Sequence, residues 1–190
     1  MTRWRLACSL AFLAATGLAR AEPAAARLLP EKSQIVFVSK QMGVPVEGSF
    51  GKFSAQVAFD PRKPEGGSVQ LYIETGSASL GAPQSDAELP KPAWFDTTKF
   101  PQASFKSTSI RSLGGGQFEL AGRLTIKGQG QDIVVPLAIA QAYGQSVASG
   151  SLTIQRLAFK VGEGEWADTS LVANDVVIRF KFTLAGLGPL

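Results

Sequence analysis

The chain has 190 residues, with 19 Lys and Arg against 15 Asp and Glu, one cysteine and no histidine. Without histidine there is no Ser-His-Asp or Cys-His nucleophile pair, and the usual zinc ligand sets cannot be assembled. A single cysteine leaves no intramolecular disulfide, so a hydrophobic core must supply the stability.

The first segment reads Met1-Thr2-Arg3-Trp4-Arg5, then an uncharged run from Leu6 to Ala19, then Ala19-Arg20-Ala21. A basic start, a short apolar stretch and an A-x-A site are the parts of a cleavable secretory signal peptide, residues 1–21. The apolar run is shorter than the roughly 20 residues a helix needs to span a bilayer, which disfavours a permanent anchor. Cleavage after Ala21 removes Arg3, Arg5, Arg20 and Cys8, leaving 16 basic against 15 acidic residues and no cysteine. That balance carries no electrostatic footprint for nucleic acid, and the signal peptide predicts an exported product.

Residues 22–32 are rich in alanine and read as a flexible leader. From Ser33 onward the hydropathy pattern repeats every two residues, as half-buried strands do. Val176, Ile178, Phe180, Phe182 and Leu184 alternate with polar or exposed neighbours, and so do Phe118, Leu120, Leu124 and Ile126. Ile133, Val135, Leu137 and Ile139, and Val69, Leu71 and Ile73, repeat the pattern. In 44–59 the parity changes between Val46, Gly48, Phe50 and Phe53, Ala55, Val57, Phe59, which predicts a bulge near Gly51. Turn residues then delimit eight strands near 33–41, 44–59, 68–76, 102–111, 117–127, 131–141, 146–158 and 174–185. Pro136 predicts a bulge or gap in the sixth. Eight antiparallel strands in meander order give an all-β fold, an up-and-down barrel or a two-sheet sandwich. Two long connections remain, 81–101 with a helical turn near Ser85 to Leu89, and 160–173.

Several segments then fall into one pattern. Ser33-x-Ile35-x-Phe37 opens the first strand, Gly43-Val-Pro-Val-x-Gly48-x-Phe50 follows, and Phe59-Asp60-Pro61 closes the second. Trp94-Phe95-Asp96, Phe100-Pro101-x-Ala103-x-Phe105-x-Ser107, Gly122-x-Leu124-Thr125-Ile126-x-Gly128 and Asp175-Val176-x-Ile178 come next, in order and with matching spacing. With these the chain resembles the YceI-like family of polyisoprenoid-binding proteins, over a domain of residues 33–187. The resemblance implies an eight-stranded antiparallel, lipocalin-like extended β-barrel with short helical turns in its long loops. It also implies a periplasmic binding or carrier protein for an isoprenoid lipid, a quinone or a polyprenyl compound. The chain departs from the family at three positions: Gln41 stands where many members have histidine, Ser85-Asp86 replaces an Arg-Asp pair, and Pro90 replaces a basic residue. Those departures favour a neutral, quinone-like head over a pyrophosphate.

The candidate ligand-binding residues are the aromatics Phe37, Phe50, Phe53, Phe59, Trp94, Phe95, Phe105, Phe118, Trp166, Phe180 and Phe182. By themselves they read equally as a filled core, because small inward residues such as Gly48, Ala55, Ala103 and Gly122 fit a tunnel or a tapered closed barrel. Trp94, Phe95 and Trp166 lie in the long connections, where they gate a mouth, touch a membrane surface or plug the barrel. Lys40, Gln41, Asp86 and Arg156 are the headgroup candidates; for Lys40, Arg123, Lys127 and Arg156 the ordinary reading is a snorkelling surface side chain. Glu163, Glu165 and Asp168 form an acidic loop that reads as a solvated turn rather than a calcium or magnesium site.

No metal, cofactor or catalytic residue is expected, an isoprenoid lipid being the ligand. The alternatives are an accessory partner of a quinone-using membrane cytochrome with a filled barrel, and a lipid-modifying enzyme using carboxylate or lysine chemistry; transient membrane contact fits each. One measurement checks the N-terminal reading: mass spectrometry of the exported protein should find Glu22 as the first residue, and an intact Met1 to Ala21 segment on the exported form would contradict it.

Overall fold

The computed structural model describes residues 25–190; the expected signal peptide, 1–21, and leader residues 22–24 lie outside the described residues. Eleven strand segments form one antiparallel sheet: β1 (Ala25–Leu28), β2 (Gln34–Gln41), β3 (Val44–Phe50), β4 (Phe53–Ala58), β5 (Ser68–Glu74), β6 (Ala78–Ser79), β7 (Gln102–Gly114), β8 (Gln117–Ile126), β9 (Gln129–Ala142), β10 (Gln145–Gln155) and β11 (Asp175–Ala185). Pairing runs β1-β4-β5-β7-β8-β9-β10-β11 and returns to β1, so the sheet closes into an eight-stranded barrel. β2, β3 and β6 continue from the other part of β11's edge.

This is the expected barrel, because β1–β2 and β3–β4 are two long strands, each bent once. β11 takes β1 beside Leu184 and Ala185 and β2 beside Val177 to Lys181. In the second bent strand, β3 pairs with β2 while β4 pairs with β1 and β5. The break falls at Gly51-Lys52, where the parity change placed it, and it keeps Phe50 and the Ala55-Val57-Phe59 set on one inner face. The part of the supposed flexible leader that is described, from Ala25, is instead wall. Ala26 and Leu28 are buried while Ala25 and Arg27 are exposed. Alanine gives too little hydropathy contrast for that two-residue alternation to stand out.

Each bend leaves backbone groups that the ladder cannot pair, and serines take them up. Ser33 Oγ donates to the Leu29 carbonyl at 2.7 Å and accepts the Thr183 N–H at 2.9 Å, while Thr183 Oγ1 donates to the Lys32 carbonyl. At the second bend Ser77 Oγ accepts the Lys52 N–H and the Ser77 carbonyl accepts the Gly51 N–H. A third serine, Ser107, accepts the Val69 N–H at 2.8 Å, beside a register shift of β7 on β8. These bonds answer the requirement that buried main-chain donors find partners where the strands stop doing so.

Several boundaries differ from the sequence reading: β7 runs on to Gly114 and β9 begins at Gln129. β10 ends at Gln155, not near 158, because Arg156 to Phe159 wind into a 3-10 turn that carries the Arg156 side chain inward. Pro136 marks the expected gap: β9 pairs with β8 from Gln129 to Ala138, but its pairing with β10 stops at Leu137 opposite Gly150. A helical turn, α1 (Pro83–Asp86), occupies the first long connection.

One end of the barrel is packed around Phe118, which meets Phe59 edge to face at 5.2 Å between centroids; Phe59, Ile110, Leu120, Ile139 and Leu184 belong to the same buried cluster and also line the interior cavity. Because Ser33 supplies both a donor and an acceptor to half-buried backbone, Ser33→Ala should lower unfolding stability by about 1–2 kcal/mol. Urea denaturation checks this, with a reduced midpoint and an unchanged slope as the expected result.

Candidate functional site

Above the packed end the inward side chains stop meeting across the axis. A cavity of about 170 Å³ remains, and every residue lining it is apolar, among them Ala55, Leu71, Leu124, Ile133, Leu152, Ile178 and Phe180. A second chamber of about 100 Å³ follows, lined by Phe37, Ser39, Leu89, Trp94, Arg156, Phe159, Val161 and Val176. Phe50, Phe95, Ile126, Ile154 and Ile178 line both, so they form the waist between the two.

The glycines on the inner wall explain how a barrel rich in phenylalanine stays hollow. A Cβ on Gly48 would stand 2.2 Å from the Phe37 ring, and one on Gly150 would stand 2.6 Å from the Phe180 ring. Both glycines sit directly opposite those aromatics on the neighbouring strand. Gly122 similarly lies 2.6 Å, at an added Cβ, from the Phe105 ring. A ring that rests on bare backbone lies against the wall, whereas a ring opposite a side chain would be pushed toward the axis.

Two buried cations hold the end with the second chamber. Arg156, 3% exposed, has no carboxylate partner, and all its N–H groups donate to main-chain carbonyls. Nε donates to Ala173, Nη1 to Val161 and Gly162, and Nη2 to Trp166 and Val172, at 2.6–3.0 Å. Burial draws its pKa down from the ordinary guanidinium value. Lys127, 6% exposed, donates to the carbonyls of Pro92 and Lys160 and to Glu163 Oε2 at 2.9 Å. Its ammonium thereby joins the loop after β6 to the loop after β10. Gly162 and Glu163 N–H groups both donate to the Ala93 carbonyl, and Trp94 packs on Trp166 at 5.6 Å between centroids. The two connections form one cap.

Of the aromatic candidates, Phe50, Phe59, Phe95, Phe105, Phe180 and Phe182 line the main cavity, and Phe37, Phe50, Trp94 and Phe95 line the second chamber. Phe53 instead packs on Phe182, Phe118 is buried in the solid end, and Trp166 backs Trp94. Among the headgroup candidates only Arg156 reaches a chamber wall, and its donors are fully used. Lys40 is exposed; Gln41 pairs with Val44 and bridges to Val172; Asp86 accepts the Ser79 hydroxyl and the Leu80 N–H, tying α1 to β6. The snorkelling reading fails for Arg156 and Lys127, because cap carbonyls from distant segments surround both heads.

Within the acidic loop Glu163 is engaged by Lys127, and the Ser170 hydroxyl and N–H hold Asp168 below the usual carboxylate range. Among the described residues no three His, Cys, Asp or Glu side chains cluster as metal ligands would. Ser39 went unnoticed in the sequence, although its signal was present: it shares the inward parity of Ile35 and Phe37 and is polar.

The YceI-like domain model matches residues 27–184. The chain belongs to the YceI-like family. A UPF0312 protein of Vibrio cholerae is 32% identical over 90 residues, 47% of this chain and 48% of that protein. One from Shewanella baltica is 31% identical over 115 residues, 60% of this chain and 58% of that protein. These matches thus span about half the length of the curated relatives. Among crystal structures, BcnA of Burkholderia cenocepacia is 44% identical, with a TM-score of 0.79 over 82% of this chain and 98% of that one. A polyisoprenoid binding domain from Saccharophagus degradans shares the fold at 14% identity, with a TM-score of 0.68 over 86% of this chain and 98% of that domain.

Arg156→Met should destabilise this YceI-like barrel by about 3 kcal/mol or more, since it strands five carbonyls that the guanidinium now serves. Amide hydrogen exchange localises the effect: protection is expected to fall in 160–173 and 88–96 before it falls in β8.

Proposed function

We propose that this protein is an exported, periplasmic carrier that holds an isoprenoid lipid, a quinone or a polyprenyl compound, in the barrel interior. One observation carries the reading: the axis of a closed barrel is hollow, and its main cavity has no polar lining residue. An apolar cavity of about 150 Å³ stays dry and takes apolar guests. Left empty, 170 Å³ forfeits about 4 kcal/mol of packing at ~24 cal/mol per Å³. An aliphatic chain restores those contacts and gains about 0.8 kcal/mol for each methylene it removes from water. The polyisoprenoid-binding domain with the same fold supports the choice of an isoprenoid over another lipid.

The hollow interior disfavours the filled-barrel accessory protein. Among the described residues no carboxylate or lysine lines either chamber, which disfavours a lipid-modifying enzyme. The signal-peptide pattern at 1–21 is the basis for the periplasmic assignment.

Solvent extraction of the purified protein followed by mass spectrometry should recover an isoprenoid. Stripped protein should bind an added quinone, with its melting temperature rising as ligand concentration passes Kd; at about 100 Kd the gain corresponds to roughly 2.7 kcal/mol. Failure of quinones and polyprenols alike to bind the stripped protein would refute the reading.

A further inference from the structure

Between β9 and β10 the barrel wall is laced over only part of its height. The two strands pair from Gln145 opposite Ala142 to Gly150 opposite Leu137 and no further. Beyond that point Asp132 to Pro136 stay paired with β8 and Ser151 to Gln155 stay paired with β11, but the two stretches do not pair with each other.

Pro136 is the cause. Its carbonyl oxygen lies 2.3 Å from where a Gly150 Cβ would stand, so this edge of β9 is turned toward β10. A strand residue presents its N and its O to the same neighbour, so the donor that proline lacks is the one β10 would have accepted. By the same alternation Asp132, Val134, Ser151 and Thr153 turn their main-chain groups into the seam. A side-chain bond ties its far end, from Gln131 Nε2 to the Ala158 carbonyl at 3.4 Å.

The main cavity lies directly behind. Ile133 and Val135 on one lip and Leu152 and Ile154 on the other all line it. On the outside Val134 is 55% exposed, and Pro136, Ser151 and Thr153 are exposed as well, so the rim is uncharged. Asp132, at the far end of the β9 lip, is engaged by Arg123 at 2.9 Å.

We propose that this seam is the portal of the barrel, through which an apolar chain passes sideways into the main cavity as β9 and β10 part. The portal rests on the lipid-carrier reading and adds its route. Both ends of the barrel resist opening more strongly. One is a packed core around Phe118, and the other is a cap fastened by five hydrogen bonds from Arg156 and three from Lys127. Parting the seam breaks no ladder bond, and its length of roughly 15 Å lets an extended chain enter along its side.

The test uses the protein from Glu22 onward, which has no cysteine of its own. Val134→Cys with Thr153→Cys puts one thiol on each lip, to be stapled with a short bis-maleimide; the same variant capped with N-ethylmaleimide is the reference. Ala140→Cys with Val147→Cys, a pair the ladder already joins, carries the control staple. Uptake and release of a decyl-tailed, fully substituted benzoquinone are followed by stopped-flow quenching of Trp94 and Trp166. The seam staple should slow both rates at least about ten-fold and leave Kd within about two-fold, since a gate changes rates and not the equilibrium. Under the control staple the rates should change less than about two-fold. Pro136→Val, which supplies the missing N–H, should slow uptake about three-fold or more. Hydrogen exchange reads the seam without ligand: the amides of Asp132, Val134 and Thr153 should exchange at least about a hundred-fold faster than those of Ala138 and Ser149.

Unchanged rates under the seam staple, equal slowing by both staples, or protection of the Asp132, Val134 and Thr153 amides would each overturn the portal and leave the carrier reading standing. If the capped reference binds neither this quinone nor a polyprenol, both readings fall.

Discussion

An apolar barrel of this kind must stay hollow without collapsing or filling with water. A closed eight-stranded sheet leaves just enough width for side chains to meet at its centre. Here the rings of Phe37, Phe105 and Phe180 are laid on Gly48, Gly122 and Gly150, and the volume they would otherwise fill stays open. With no polar residue on the main cavity wall, water has nothing there to bond to. The empty volume weakens packing, so stability must be recovered at the solid end, in the bends and in the cap.

The bends follow from closing a barrel with long strands. Straight strands would leave mismatched edges, whereas bends at 29–33 and 51–52 let one edge of β11 carry both β1 and β2. Small hydroxyl side chains do the repair because they carry both a donor and acceptors on a short stem. Serines 33, 77 and 107 thus act as substitute ladder rungs, which is a different task from the surface solubility that their residue type suggests.

The cap turns on two cations that are bound to main-chain oxygen. Breaking a desolvated guanidinium away from five carbonyls would expose an uncompensated charge and leave five acceptors unpaired, so the 160–173 loop has one stable arrangement around Arg156. Lys127 then fastens the other loop to it, and Trp94 on Trp166 seals the join. That closure sets the wall of the second chamber, to which Trp94 and Arg156 both contribute.

The two-residue alternation, and with it the strands from residue 33 onward, their inward faces and the break near Gly51, was legible in the sequence, since strand side chains alternate whatever the tertiary context. Pro136 was legible as a bulge or gap in its strand, and the ordered motifs pointed to the family. Parity could not tell a lining ring from a packed one: Phe59 and Phe118 carry equally strong signals, yet one lines the cavity and the other is wholly in the solid end. Nor could it find the strand at 25–28, where alanine hides the pattern, or the fate of Arg156 and Lys127, whose partners are backbone oxygens contributed by remote loops. Those outcomes depend on which segments meet in space and on how far a ring can lie back against glycine, and only the closed barrel decides them.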